Sequence, residues 1–263
     1  MADLKKFLSK SVAMGFSIGE KPHMVNNPAD GNFKVPALEK GLDALELVHS
    51  SAEALSLTEI ARSCGRSVSE MQRVVPYLAH RGYFVRDARG LYRGSSKMFR
   101  IGNHNPPFRD LVANAMGPMG EYSAKTGEGI HLSVLDGGEL LILADSPGTG
   151  YLRIGVRVGS SHNPEETVSG RVLLEFSGNG KTGRFGGIRK NGHEYSQSHL
   201  YRGVNDLAVP VLVRDGTAIA AVATSWLDPS GGAGGALERL LPELGACALR
   251  ISESFESDSP QNQ

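Results

Sequence analysis

The chain has 263 residues, 40% of them hydrophobic, and its 28 basic and 28 acidic side chains cancel. That length suits two domains, and the apolar fraction is enough for packed cores. The longest apolar run, LAVPVLV at 207–213, is far short of the ~20 residues that a membrane helix needs. Cys64 and Cys247 lie far apart without metal-ligand spacing, so neither a metal site nor a disulfide framework is expected. Lys10 interrupts the faintly signal-like start. The reading is a cytoplasmic protein with no membrane contact and no cofactor.

The zero net charge hides an asymmetry. Residues 34–100 carry 11 basic against 7 acidic side chains, and residues 101–263 carry 13 against 18. A basic segment ahead of an acidic one is the balance expected of a tethered nucleic-acid reader.

Residues 1–34, with the turn-rich NNPADGN (26–32), read as a flexible tail. Leu38, Leu42, Leu45 and Val48 then recur at helical spacing, and Pro36 suits the first turn of a helix over 36–49. In SLTEIARSCG (56–65), Ser56 and Glu59 form an S-x-x-E capping box and Gly65 supplies a stop. SVSE (67–70) repeats the box, which gives Glu70 a structural role in a helix that starts after Ser67. Two short helices around a glycine turn predict a helix-turn-helix.

At 100° per residue, Val68, Met71, Val74, Val75 and Leu78 share the core side of the second helix. Ser69, Gln72 and Arg73 are left outward near its start, where such helices meet base edges and phosphates. Pro76 should bend this helix after its second turn. YFVR (83–86), DARG (87–90) and LYRG (91–94) predict a hairpin wing whose Arg86, Arg89 and Arg93 face the DNA backbone or the minor groove.

Beyond a linker helix and linker at 95–106, the texture changes. Residues 107–125 read as a helix with Leu111, Ala115, Met119 and Tyr122 on one side, and Gly117-Pro118 as a point of bending. GIHLSVL (129–135) and ELLILAD (139–145) flank a DGG turn. YLRIGVRVG (151–159) reads as a third strand and TVSGRVLLEF (167–176) as a short helix. DLAVPVLVR (206–214) and TAIAAVATSW (217–226) make another hairpin, and a last helix over 234–255 carries Leu237, Leu241, Leu244 and Leu249. Helices with antiparallel hairpins indicate an α+β fold.

The run LTEIARSCGRSVSEMQRVVPYLAHRGYFVRDARGLYRGSSKMFRIG resembles the winged helix-turn-helix of the isocitrate-lyase-regulator (IclR) family of bacterial transcription factors. TVSGRVLLEF and GVNDLAVPVLVRDGTAIAAVATS resemble two segments of that family's effector domain. The similarity spans roughly residues 36–255. It implies a winged helix-turn-helix at 35–94, a GAF-like effector domain at 107–256 (an antiparallel sheet flanked by helices) and a short tail at 257–263.

The function so implied is ligand-responsive regulation, of repressor type, of a catabolic operon. The protein would be a homodimer or tetramer on double-stranded DNA with a palindromic operator. Its effector would be a small organic molecule, such as a carboxylic or aromatic acid. Through the matching segments the effector positions are Val168, Ser169, Ser196, Asp206, Ala223 and Ser225. The small residues leave room, and the free N–H groups at the start of 170–176 suit an anion. Asp206 would repel a carboxylate unless Arg171 offsets it.

Competing chemistry is weaker. GNGKTG (178–183) fits G-x-G-x-x-G, but RFGGIRKNG follows it instead of a long helix, so it reads as a loop. The eight histidines have no compact ligand spacing, although His131, in an apolar strand, is placed to line the effector pocket. With no G-x-S-x-G elbow, no enzyme is indicated. The alternative is an oligomeric small-molecule-binding or partner-binding module whose DNA function has been lost or weakened, with Pro76 as a symptom.

Overall fold

Two capping boxes, Ser56 with Glu59 and Ser67 with Glu70, organise the first part of the chain. In the computed structural model, residues 35–151, 153–177, 185, 187–198, 201–228 and 234–258 are described. The tail over 1–34 and the GNGKTG loop lie outside them.

Helix α1 (Pro36–Ser50) buries Ala44 and Val48. In α2 (Leu57–Ser63), the Ser56 hydroxyl accepts from the Glu59 N–H while the Glu59 carboxylate accepts from the Ser56 N–H. Gly65 then turns the chain at φ 65°, a conformation that a side chain rarely adopts. The second box, Ser67 and Glu70, opens α3 (Val68–Met71).

The second capped helix is interrupted earlier than its sequence suggests. It stops after Met71, passes through Gln72 and Arg73, and resumes as α4 (Val74–His80). Pro76 is therefore the third residue of a new helix, not the bend in an old one. A proline has no N–H to donate, and none is needed in a first helical turn. Its cost is thereby avoided by moving the interruption upstream.

Strands β1 (Phe84–Arg86) and β2 (Tyr92–Gly94) pair antiparallel, with Val85 opposite Arg93. Leu55 adds a bridge to Tyr92 through hydrogen bonds of 2.8 and 2.7 Å. Ile60, Met71, Val75, Phe84 and Tyr92 complete this core with the α1 residues. Val68, assigned to the core side, is instead 42% exposed at the first position of α3.

After α5 (Lys97–Gly102) and α6 (Pro106–Thr126) comes a six-stranded antiparallel sheet. Its strands are β3 (Ile130–Asp136), β4 (Glu139–Ser146), β5 (Ser161–His162), β6 (Glu194–Gln197), β7 (Val204–Leu212) and β8 (Ala218–Leu227), in the order β5-β4-β3-β8-β7-β6. Gly137 and Gly138, at φ 58° and 89°, make the tight β3–β4 turn that closes on the Asp136–Glu139 pair. Helix α6 and the last helix, α9 (Gly234–Asp258), cover one face of the sheet. Helix α7 (Val168–Phe176) covers the other, followed by the short α8 (Ile188–Asn191). Leu111, Ala115, Met119 and Tyr122 of α6 are buried as their spacing indicates.

Three expectations are corrected here. Residues 153–157 form no strand: after Ser160 the chain pairs with β4, but Gly155 and the left-handed Gly159 (φ 81°) break the alternation upstream. Arg153 and Arg157 stay exposed while Ile154 and Val156 are half-buried. In α9 the buried stripe is Leu240, Leu244, Cys247, Ala248 and Ile251, whereas Leu249 is 59% exposed. Leu249 lies about 140° around the helix from Leu244. The helix also runs on to Asp258, into the expected tail.

Candidate DNA-binding surface and effector-binding face

The first turn of α3 is held from two sides. Ser67 N–H donates to the Glu70 carboxylate at 3.0 Å, and Glu70 N–H donates to the Ser67 hydroxyl at 3.3 Å. The Lys40 ammonium of α1 also meets Glu70 at 2.9 Å. Hydrogen bonding to Lys40 and to Ser67 holds the Glu70 pKa down at about 2. The one carboxylate of this helix is therefore spent inside the protein and paired with a cation.

Ser69, Gln72 and Arg73 are all exposed beside it. The Ser69 hydroxyl lies 3.0 Å from that of Ser67, while Gln72 and Arg73 occupy the break between the helices. Arg81, not singled out from sequence, donates to the Tyr77 hydroxyl at 2.9 Å on the adjoining exposed surface. That i,i+4 contact is a helical neighbour pair that spacing alone signals.

The wing is shaped by Asp87. Its carboxylate accepts from the N–H groups of Arg89 and Leu91, both at 2.9 Å, and pairs with the Arg89 guanidinium at 3.1 Å. The Arg89 side chain is nevertheless 77% exposed at the tip. Arg86 lies over the Tyr92 ring at 5.5 Å, and Arg93 is exposed on β2. The three wing arginines are thus on one hairpin, each presented differently. Lys97 turns back, donating to the Arg81 carbonyl at 2.6 Å over the Tyr83 ring.

On the sheet, strand register brings the effector candidates to one face. One row across five strands runs Asp145, His131, Ala223, Ala208, Glu194. The neighbouring row runs Ser225, Asp206, Ser196. Both belong to the face that α7 covers, as the packing of Ala208 and Ala223 against Val168 and Val172 shows. Val168 and Ser169 are buried in the first turn of α7. Gly170 lets that turn approach the 3₁₀ turn Pro164–Glu166, since a Cβ there would sit 2.1 Å from the Pro164 carbonyl oxygen.

The electrostatics differ from the sequence expectation. Ser225 donates to the Asp206 carboxylate at 2.6 Å. Arg171 pairs with Glu194 at 2.9 Å and donates to the Glu165 carbonyl at 3.2 Å, so it is committed elsewhere than to Asp206. The Thr167 hydroxyl already accepts from the Gly170 N–H at 3.1 Å, which removes one of the donors expected to be free for an anion. His131 and Asp145 flank this region, and burial depresses the histidine to about 4 and raises the carboxyl. Asp145 was not foreseen from sequence.

The chain thus joins a helix-turn-helix with a basic hairpin to an antiparallel sheet faced by helices. Comparison with known proteins agrees. Residues 37–88 match the IclR helix-turn-helix domain. The chain is 25% identical over 222 residues to the HTH-type transcriptional regulator XynR of Escherichia coli K12, covering 73% of this chain and 86% of that protein. It is 27% identical over 160 residues to the transcriptional repressor IclR of the same organism, covering 59% and 57% of the two chains. The same fold occurs in the Thermotoga maritima IclR, at a TM-score of 0.67 and 21% identity over 83% of this chain and 98% of that one. It also occurs in an IclR homologue from Microbacterium hydrocarbonoxydans complexed with 4-hydroxybenzoate, at a TM-score of 0.71 and 18% identity over 84% and 100%. Residues 37–88 thus match the helix-turn-helix of IclR regulators, and the chain shares the fold of the Thermotoga maritima IclR.

Proposed function

We propose that the chain regulates transcription by binding duplex DNA through residues 35–94 and a small organic effector through residues 107–256. The observation that carries this is the capped α2–α3 pair followed, after α4, by an arginine-bearing hairpin, the helices lying within the segment that matches the IclR helix-turn-helix domain. In this reading Ser69, Gln72 and Arg73 meet base edges and adjacent phosphates. Arg86, Arg89 and Arg93 hold the backbone or the minor groove.

With only four residues in α3, one copy reads few base pairs. Two copies on a palindromic site, as a dimer or tetramer, would supply the missing specificity. The effector is received by Val168, Ser169, Ser196, Asp206, Ala223 and Ser225 and shifts the affinity for an operator of a catabolic gene set. The bound 4-hydroxybenzoate in the Microbacterium protein supports a small organic effector. Selection of bound duplexes from a random library by the purified chain tests the reading: a palindromic consensus is expected, and an unenriched pool would overturn it.

A further inference from the structure

Beyond Ala208, strand β7 loses a neighbour: among the described residues β6 pairs with Asn205–Ala208 only, which leaves Val209–Leu212 without a strand along that edge. A cleft of about 540 Å³ opens there, between the end of α7, the short α8 and the last helix. That volume is in the range of small-molecule sites. Its apolar wall includes Phe176, Val209, Leu212, Leu241 and Leu249. Leu241, Gly245 and Leu249 follow one another at one-turn spacing along α9, so the missing side chain at Gly245 leaves a notch between two leucines. A Cβ added at Gly245 would meet nothing within 4 Å, so the notch is open and not packed shut. The exposed Leu249 stands on its rim.

A bare sheet edge invites a further strand, but this one is a poor template. Pro210 has no N–H to give, and the Leu212 carbonyl already accepts from the Ser252 hydroxyl. A compact guest therefore suits the cleft better than a strand from another copy. The lining residues include Arg189 and His193 but no acid. The Arg189 guanidinium lies over the Phe176 ring, 4.8 Å from its centroid, and donates to the Glu175 carbonyl at 2.9 Å. Among the described residues no carboxylate pairs with it, so its charge and most of its N–H donors remain for a guest. We propose that this cleft is a second ligand site that takes an organic acid, with the apolar body against Val209, Leu241 and Leu249 and the carboxylate on Arg189. It is separate from the effector face proposed above: Phe176 and Val168 are at opposite ends of the nine-residue α7, about 12 Å apart along the helix.

The test uses the full chain. Calorimetric titrations at neutral pH compare octanoate with octanol and 2-naphthoate with 2-naphthol. At least one acid is expected to bind about tenfold more tightly than its alcohol. Arg189→Gln should remove that preference, and Arg189→Lys should keep part of it. Gly245→Leu, whose side chain enters the open notch, should abolish binding of that acid without lowering the melting temperature. Leu249→Glu, at an exposed position, should weaken the acid about tenfold and tests the site even if Gly245→Leu fails to fold. Four results would each overturn the proposal: no acid binding up to solubility, no preference over the alcohols, a preference that survives Arg189→Gln, or binding untouched by Leu249→Glu or by a folded Gly245→Leu. The last would put the acid elsewhere, the effector face included. None of these readouts needs DNA, so a failure of the regulator reading would show separately, as a parent chain that binds no operator.

Discussion

The Lys40 ammonium and the Glu70 carboxylate meet at 2.9 Å, joining α1 to the first turn of α3. Glu70 thereby combines a helix cap with an interhelical tie, and the acid that looks out of place on a DNA-reading helix is neutralised before DNA arrives.

Because hydrogen bonding lowers the folded pKa of Glu70 to about 2 from an ordinary value of 4.5, its ionisation stabilises the fold fully above 4.5. The contribution is lost as pH falls from there through about 2. Thermal melts of the parent and Glu70→Gln should therefore differ at pH 6 and converge toward pH 2. A gap that is independent of pH would contradict the assignment.

His131 works in a second pH window. Its folded pKa lies near 4, below the ordinary 6.5, so the unfolded chain takes up a proton that the folded chain refuses. Its neutral burial thus costs stability progressively from about pH 6.5 down to 4. His131→Asn should lose less melting temperature than the parent across that interval, as scanning calorimetry would show; equal losses would mean that the ring charges freely.

Met71 is completely buried in the helix-turn-helix core. Met71→Ala should destabilise this part by about 2–5 kcal/mol, through lost burial and a cavity. Denaturant unfolding followed at the wing tyrosine Tyr92 should show it, and a change within error would mean that the core closes around the gap.

The DNA contacts separate by kind. Arg89→Ala should weaken binding to all duplexes alike and reduce the salt slope by about 1, as expected for a lost phosphate contact. Gln72→Ala should relax preference at one base position by about 1–3 kcal/mol. Competition titrations against a panel of singly altered duplexes would distinguish them. An Arg89→Ala effect confined to one base would exchange the two roles.

Much of the fold is legible because its signals are local. The S-x-x-E boxes at Ser56 and Ser67, the Gly137-Gly138 turn and the Leu111–Tyr122 stripe each depend on neighbours within a turn or two. What escapes depends on longer-range geometry. A bulge near Leu143 shifts the β3–β4 register, pairing Leu132 with Ala144 but Ser133 with Ile142. Without it Asp145 would face α6 and α9; with it Asp145 joins His131 on the α7 face. No pattern in ELLILADS announces that slip. Arg171 likewise finds Glu194, 23 residues away, only once β6 has folded beside α7. The helix break at Gln72 and Arg73 was displaced from the expected bend because Pro76 is harmless at the start of a helix and costly within one.

The central claim is that the capped α3 and its wing read DNA. The most direct measurement is fluorescence anisotropy of the full chain on duplex from upstream of its own gene, against a shuffled duplex, at two salt concentrations. A preference of about a thousandfold or more, with affinity falling as salt rises, is the expected result. Equal and weak binding to both duplexes, and also to any duplex recovered by selection from a random library, would contradict it.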